Sequence, residues 1–192
     1  MREEHLHDYD TLLKKFGSKN KIPYSELLLT KEWNNKRDII INRDKYKCTI
    51  CNKEATVDLD FTNFCWITRH IYEYTKINEN GNEEIASFEY DTFENSDKRY
   101  FLHVHHKYYI LSKNPWDYPE EALVTLCNWC HWKFHEENIV PVYETEGLYN
   151  ELDLTPCLRC SGAGMFPEFT HVQNGFCFRC KGLKYEELID NL

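Results

Sequence analysis

Apolar residues recur at helical spacing in the segment that follows Thr30. Three of them fall near positions i, i+7 and i+8, namely Trp33, Ile40 and Ile41. Threonine readily caps the first turn of a helix, so this pattern predicts a helix from Lys31 to about Arg43 with one buried stripe. The basic side chains of Lys36 and Arg37 would lie on its solvent face.

Further along the chain, two strand-forming segments surround a turn. Ile67–Ile77 and Glu84–Phe93 are rich in β-branched and aromatic residues, and the dipeptide Asn80-Gly81 between them is a strong hairpin signal. The pattern predicts a protruding β-hairpin, rich in Glu and Tyr, inside an insertion at residues 61–99.

A third pattern consists of two short apolar runs followed by a helix. Tyr100–His106 is typical of one strand and Leu123–Leu126 of another, and a short helix is expected from Cys130. His131 and His135 would share one face of that helix because they are four residues apart. Strand and helix patterns mixed in this way predict a small α+β fold.

The remaining segments complete a division of the chain. The predicted parts are a polar leader at 1–23 with a poorly ordered tip, a main domain at 24–140, a linker at 141–154, a zinc ribbon at 155–184 and an acidic tail at 185–192 that forms a short helix. No apolar run of about eighteen residues occurs, so no membrane span is expected. The N-terminal residues also lack the apolar stretch of a signal peptide.

Eight of the nine cysteines fall into four CxxC pairs. The pairs are Cys48 with Cys51, Cys127 with Cys130, Cys157 with Cys160, and Cys177 with Cys180. Two thiolates three positions apart bind one Zn²⁺ from a tight turn, and two such pairs complete a tetrahedral site. We therefore expect two structural Zn²⁺ ions, the second in the last two pairs, whose spacing is that of a zinc ribbon. Cys65 is expected to be a buried free thiol.

Histidines are concentrated in one stretch, since five of the nine lie within residues 100–135. They are His103, His105, His106, His131 and His135. Neutral imidazole binds divalent metals or accepts a proton near neutral pH. Such a group beside a CxxC pair indicates a further metal site, with His103 expected to be only a polar strand residue.

The net charge of −9 disfavours a protein that coats nucleic acid, but the charge is unevenly distributed. Residues 14–47 contain ten Lys and Arg against four Asp and Glu, a net of +6, so the remainder carries −15. A basic arm of this kind holds phosphates locally, and its candidate contacts are Lys36, Arg37, Arg43 and Lys45. A solvated helix face explains the same charges without nucleic acid, and both interpretations stay open.

Two stretches together resemble the HNH endonuclease family. The first is RDKYKCTIC at residues 43–51, and the second is VHHKYYILSKNPWDYPEEALVTLCNWCHWKFH at residues 104–135. The resemblance covers roughly residues 24–60 and 100–136. It implies a ββα-metal core, in which a β-hairpin carries the general base and a helix supplies a metal ligand, both clamped by structural zinc.

The same resemblance implies a role for each histidine of the motif. His106 corresponds to the general base, and His105 to a ligand of one catalytic divalent ion, which is Mg²⁺, Mn²⁺, Ni²⁺ or Zn²⁺. His131 corresponds to a second ligand, and His135 is placed to complete the set.

One position departs from the family pattern. Ala122 stands where the family has the Asn that orients the general base. Another group must then hold His106, and the alternatives are Asn114, Asp117 and a backbone carbonyl. Loss of activity is the other consequence that this replacement allows.

The C-terminal cysteines carry a second resemblance. Cys157–Gly164 has the pattern CxxCxGxG and so resembles one half of the cysteine-rich module of J-protein chaperones. The second half departs at Lys184, where a glycine is absent, and only two of the four repeats exist. We therefore expect a single zinc ribbon.

The predicted function is metal-dependent hydrolysis of phosphodiester bonds in DNA, and the expected location is the cytoplasm of a bacterial cell or of a phage-infected host. Hydrolysis needs a base that activates water and a cation that stabilises charge on the phosphorus oxygens. One alternative is a catalytically silent zinc-binding module that grips nucleic acid, or a protein partner through the acidic body or the zinc ribbon. Another is a nuclease whose target is delivered by a partner.

Overall fold

A computed structural model describes residues 6–59, 63–111, 113–166, 169, 172 and 175–189. The chain divides into two compact units, one formed by residues 1–53 and 101–192 and the other by residues 54–100. The first unit contains helices and short strands, and the second contains a long β-hairpin. The mixed α+β class predicted from the sequence is confirmed. No helix within the described part of the chain is long and apolar enough to span a bilayer.

The elements of the described residues are short apart from the hairpin and one helix. The α-helices are α1 (Tyr9–Phe16), α2 (Tyr24–Leu27), α3 (Lys31–Arg43), α4 (Asn128–Glu137) and α5 (Glu186–Ile189). The strands are β1 (Val57–Asp58), β2 (Phe64–Ile77), β3 (Glu83–Ser96), β4 (Leu102–His106), β5 (Tyr109–Ile110), β6 (Leu123–Cys127), β7 (Val142–Tyr143) and β8 (Glu151–Leu152). Two 3₁₀ turns lie at Lys19–Lys21 and Glu120–Ala122.

Helix α3 has the predicted bounds and the predicted cap. The Thr30 hydroxyl accepts a hydrogen bond from the Trp33 backbone N–H at 3.2 Å, which satisfies one donor of the first turn. The three apolar residues of the predicted stripe are buried, namely Trp33, Ile40 and Ile41. Lys36 and Arg37 are half-buried rather than fully exposed.

The segment predicted as a polar leader contains a helix that the sequence analysis missed. Leu12 of α1 is buried and packs in one cluster with Ile22 and Leu27. The helix ends at Gly17, whose φ of 78° allows its N–H to reach the Leu13 carbonyl at 2.8 Å. Because this helix is only eight residues long, its apolar residues cover little more than two turns and give a short periodic signal that is easily overlooked.

Two strands and a helix follow one another in the core of the first unit. β4 and β6 pair antiparallel, with Leu102 opposite Cys127 and His106 opposite Leu123. α4 begins directly after β6, and Cys127 is its N-cap. α3 and the residues around β4 and β6 enclose the main core: Trp33, Ile40, Ile41, Val104, Ile110, Tyr118, Ala122 and Leu123.

The predicted linker at 141–154 takes part in a small sheet. β5 pairs parallel with β7, and β7 pairs antiparallel with β8. Val142 is buried within this sheet. Two-residue strands leave no periodic signal, which is why this segment was predicted to be a linker.

In the second unit, the predicted hairpin is confirmed, and both strands are longer than expected. The register runs from Phe64 opposite Ser96 to Ile77 opposite Glu83. At the turn, the Asn78 side-chain oxygen accepts hydrogen bonds from two backbone N–H groups at 3.0 Å, and Gly81 has a φ of 78°. The thiols are free throughout the described residues, and that of Cys65 is buried as expected.

Candidate metal centres

The first group of four cysteines joins the end of α3 to the start of α4. Its members are Cys48, Cys51, Cys127 and Cys130. The sulfurs of Cys51 and Cys127 lie 3.6 Å apart. A tetrahedral zinc with Zn–S bonds of about 2.3 Å separates its sulfurs by about 3.8 Å, so this geometry is compatible with zinc.

Backbone contacts shape this first cysteine group. Lys45 and Tyr46 adopt left-handed conformations, with φ of 57° and 58°, and turn the chain from α3 into the knuckle. The Thr49 N–H donates to the Thr125 carbonyl at 3.0 Å, which fixes the knuckle to β6. The Cys130 N–H points at the Cys127 sulfur at 3.4 Å, as expected for a thiolate at a helix start.

The second group of four cysteines lies in the C-terminal module, which we define as residues 155–189. Its members are fully buried: Cys157, Cys160, Cys177 and Cys180. The distances between sulfurs are 4.0 Å for the pair Cys157 and Cys177 and 3.6 Å for Cys160 and Cys180. Both cysteine groups are therefore compatible with structural zinc, as the four CxxC pairs in the sequence predicted.

A third group consists of three buried histidines. β4 supplies His105, and α4 supplies His131 and His135 from successive turns. The His131 Nε2 atom lies 3.1 Å from His105 Nδ1 and 3.2 Å from His135 Nε2. We call these three residues the histidine centre. The sequence analysis predicted all three as ligands, and the structure brings them together.

The donor atoms of the histidine centre fit a divalent ion. Nitrogens bound at about 2.05 Å in tetrahedral geometry lie about 3.3 Å apart, close to the two distances observed. The Nδ1 atom of His105 is the one that faces His131, and its other ring nitrogen, Nε2, is buried without a hydrogen-bond partner among the described residues. Three nitrogen ligands also leave a coordination position open, as in catalytic sites.

Burial keeps the histidine centre neutral. It lowers the pKa of His131 to about 4, with a further contribution from the positive charge of Lys184. Burial and the neighbouring His131 lower the pKa of His135 to about 2. Burial, together with the neighbouring His131 and His135, holds the pKa of His105 far below its usual range. Neutral imidazole is the form that binds a metal.

His106 lies on the other face of β4, as adjacent strand residues must. Its ring stacks on Trp33 with centroids 5.2 Å apart, and only 3% of the residue is exposed. His106 Nε2 is 2.9 Å from the Pro115 carbonyl. Of the three alternatives for holding this ring, the structure has the backbone carbonyl, while Asn114 and Asp117 bond to each other at 2.8 Å.

Burial lowers the pKa of His106 to about 3, with a smaller contribution from Lys184 and an opposing one from the Pro115 carbonyl. The unfolded chain, with an ordinary value of 6.5, therefore binds the proton first as the pH falls. The resulting contribution to the free energy of unfolding is complete above pH 6.5 and is lost as the pH falls towards 3. We expect the urea concentration at the unfolding midpoint to decline as the pH falls below 6.5. The decline should be shallower in His106→Phe than in the wild type, and this variant keeps the stack on Trp33. Equal slopes for the two proteins would contradict the assignment.

Position 103 holds a neighbour of the histidine centre. His103 was predicted as a polar strand residue, but its half-buried ring meets that of His131 edge-on, with centroids 5.5 Å apart. The sequence contained a signal for this position of His103, because residues two apart in a strand, such as 103 and 105, face the same side.

The residues predicted to contact phosphates differ in their exposure and in their bonds within the fold. Arg43 donates to the Asp44 carboxylate at 2.9 Å and to the Leu123 carbonyl at 2.9 Å, and so ties α3 to β6. The Arg43 guanidinium is thus engaged within the fold, and its contact with phosphate stays a prediction. Lys45 is exposed, and Lys36 and Arg37 are half-buried.

If the basic arm binds phosphates, charge reversal of Lys36 and Arg37 to glutamate should weaken DNA binding. Loss of two phosphate contacts flattens the dependence of log K on log salt by about 2. Arg69→Glu with Lys76→Glu on the hairpin, which makes the same change in net charge, should leave that slope unchanged. Equal slopes for the arm variant and the wild type would leave only the solvated-face interpretation.

The sequence analysis missed two residues of the C-terminal module near the histidine centre. The Ser161 backbone raises the pKa of His135, and the positive charge of Lys184 lowers the pKa values of His131 and His135. Lys184 stands where the repeated motif has a glycine, and this difference was a sequence signal for its role. It was interpreted only as a departure from a motif.

Comparison of the chain with protein-family models, curated proteins and solved structures gives no match. The function is therefore inferred from the geometry of the two cysteine groups and the histidine centre.

Proposed function

We propose that this protein is a metal-dependent endonuclease of the HNH type that hydrolyses phosphodiester bonds in DNA. The observation that carries the proposal is the convergence of three neutral imidazoles on one point, from His105, His131 and His135. An all-nitrogen set with an open position is the ligand arrangement of hydrolytic metal sites rather than of structural ones. A bound divalent ion would supply positive charge to the phosphate oxygens.

His106 is the proposed general base. It directly follows the ligand His105 on β4, and the two side chains lie on opposite faces of that strand. The contact with the Pro115 carbonyl fixes the orientation of the ring, which is the task of the Asn that Ala122 replaces. With a pKa of about 3, the ring is neutral at physiological pH, which is the protonation state that a general base requires, although a value this far below the working pH makes it a weak base.

The first cysteine group supports this arrangement through chain connectivity. His131 follows Cys130 directly, and His105 pairs across the β4–β6 ladder with Val124, three residues before Cys127. Zinc at the four cysteines would therefore hold the end of β6 and the start of α4 in register. Ligands on rigid elements bind a metal more tightly than ligands on mobile ones, because less ordering is needed.

A different observation favours the catalytically silent zinc module. His106 is almost completely buried and stacked on Trp33, an environment that also suits a core residue with a satisfied ring nitrogen. In that case the three centres would serve folding, and the protein would grip nucleic acid or a protein partner without cutting.

Cleavage assays with Mg²⁺, Mn²⁺ and Ni²⁺, each against an EDTA control, separate the two functions on plasmid, linear and single-stranded DNA and on RNA. The endonuclease should cut DNA only with a divalent ion. His131→Ala should raise the ion concentration needed, because it removes a ligand. Binding without cleavage under any condition would favour the silent module.

A further inference from the structure

The C-terminal module packs directly against the segment that carries the histidine centre. The Tyr185 hydroxyl donates to the Val140 carbonyl at 2.7 Å, just beyond the end of α4. On the side of α4 itself, the rings of Trp132 and Phe166 lie 5.8 Å apart. The module is thus in contact with the helix that supplies two of the three histidines.

The first knuckle of the module reaches the ring of His135. A Cβ atom added at Gly162 would lie 3.7 Å from His135 Nδ1, so the knuckle backbone borders this nitrogen. The Ser161 backbone lies close enough to raise the pKa of this ring. The other ring nitrogen, Nε2, faces His131 in the centre. A backbone group that engages the distal nitrogen of a histidine ligand fixes its tautomer and its direction.

The second knuckle ends in a residue that holds the module in place. Lys184 has a φ of 73°, and the equivalent residue of the first knuckle, Gly164, has a φ of 78°. A side chain at such a backbone angle is strained, so its retention calls for a compensating contact. The Lys184 ammonium lies 3.8 Å from the centroid of the Tyr109 ring and 4.2 Å from that of Tyr24, outside the module. Cation–π contacts to two rings provide that compensation.

We propose that the C-terminal module is the outer support of the histidine centre, with Lys184 as its clamp and the knuckle backbone at Gly162 as the group that positions His135. This inference rests on the proposed metal site at His105, His131 and His135. A divalent ion binds tightly at the centre only when the module is docked. Loss of the partner that orients a histidine ligand weakens metal binding by about 10- to 100-fold.

The variant Lys184→Gly separates docking from folding of the module. Glycine accepts the left-handed backbone and matches the first knuckle, so the four cysteines should still fold around zinc. The clamp to Tyr24 and Tyr109 is lost. Lys181→Gly is the matched control, since Lys181 is exposed and has a φ of 48° in the same knuckle.

The experiment is a calorimetric titration with Ni²⁺ of protein whose cysteine groups are loaded with zinc, and the zinc content is measured in parallel. Wild type should bind one Ni²⁺ at a site that His131→Ala weakens, because that variant removes one of the three ligands. Lys184→Gly should keep two zinc ions and bind Ni²⁺ about 10- to 100-fold more weakly, while Lys181→Gly should match wild type.

Three other results would overturn parts of this account. Because Lys184→Gly also removes a positive charge that disfavours a cation at the centre, equal Ni²⁺ affinity in wild type, Lys184→Gly and Tyr24→Leu would refute the support role and leave the proposed metal site intact. No Ni²⁺ binding by wild type would refute the metal site and the support role together. If Lys184→Gly loses zinc, Tyr24→Leu decides, because it removes one face of the clamp from outside the module; unchanged Ni²⁺ affinity there would also refute the support role.

Discussion

His106→Ala should slow DNA cleavage by about 10²- to 10⁴-fold, the usual contribution of a general base. The loss should appear in the rate at saturating DNA and metal, because the variant keeps the histidine centre and both cysteine groups. DNA binding and the metal concentration for half-maximal rate should stay close to those of wild type. His131→Ala should show the opposite pattern, in which added metal restores part of the rate.

Two further variants exclude trivial causes for a loss in His106→Ala. The ring of His106 stacks on Trp33, so its removal leaves a cavity that can destabilise the fold. His106→Phe keeps the stack and should lose the same activity. His70→Ala, on the hairpin, should cleave like wild type. Equal cleavage rates for wild type and His106→Phe would contradict the assignment of the base.

Cys48→Ser should disrupt the first unit. Structural zinc supplies folding free energy directly, with apparent values of about 10–16 kcal/mol in zinc-finger peptides, which is comparable to the whole stability of about 5–15 kcal/mol of a typical domain. Removal of one thiolate leaves three ligands where α3, β6 and α4 meet. We expect a zinc content that falls from two ions per chain to one, and loss of the cooperative thermal transition of this unit.

Variants of the other cysteines make that prediction specific. Cys157→Ser should release only the zinc of the C-terminal module, so the two losses should be independent in metal content. Cys65→Ala removes a buried thiol that belongs to neither group and should keep two zinc ions. A wild-type content near one ion, or release of both ions by Cys157→Ser alone, would contradict the assignment of two sites.

The sequence predicted those features whose signal is local. α3 followed from a capping threonine and three apolar residues at helical spacing, and its bounds agree with the structure. The cysteine groups followed from ligand spacing, which constrains the backbone within each knuckle. His131 and His135 share a helix face for the same kind of reason.

Features that depend on tertiary contacts were not predictable in the same way. α1 is stabilised by packing of Leu12 against Ile22 and Leu27 rather than by a long periodic pattern. The docking of the C-terminal module joins Lys184 to Tyr24 and Tyr109 across large separations in sequence. No local pattern encodes such contacts.

Anomalous diffraction from crystals soaked in Ni²⁺ tests the central claim most directly. The proposed function predicts one anomalous peak about 2.0–2.2 Å from ring nitrogens of His105, His131 and His135, in addition to zinc at the two cysteine groups. A fourth ligand from water would complete the evidence for an open site. Occupied cysteine groups with no peak at the three histidines would contradict it.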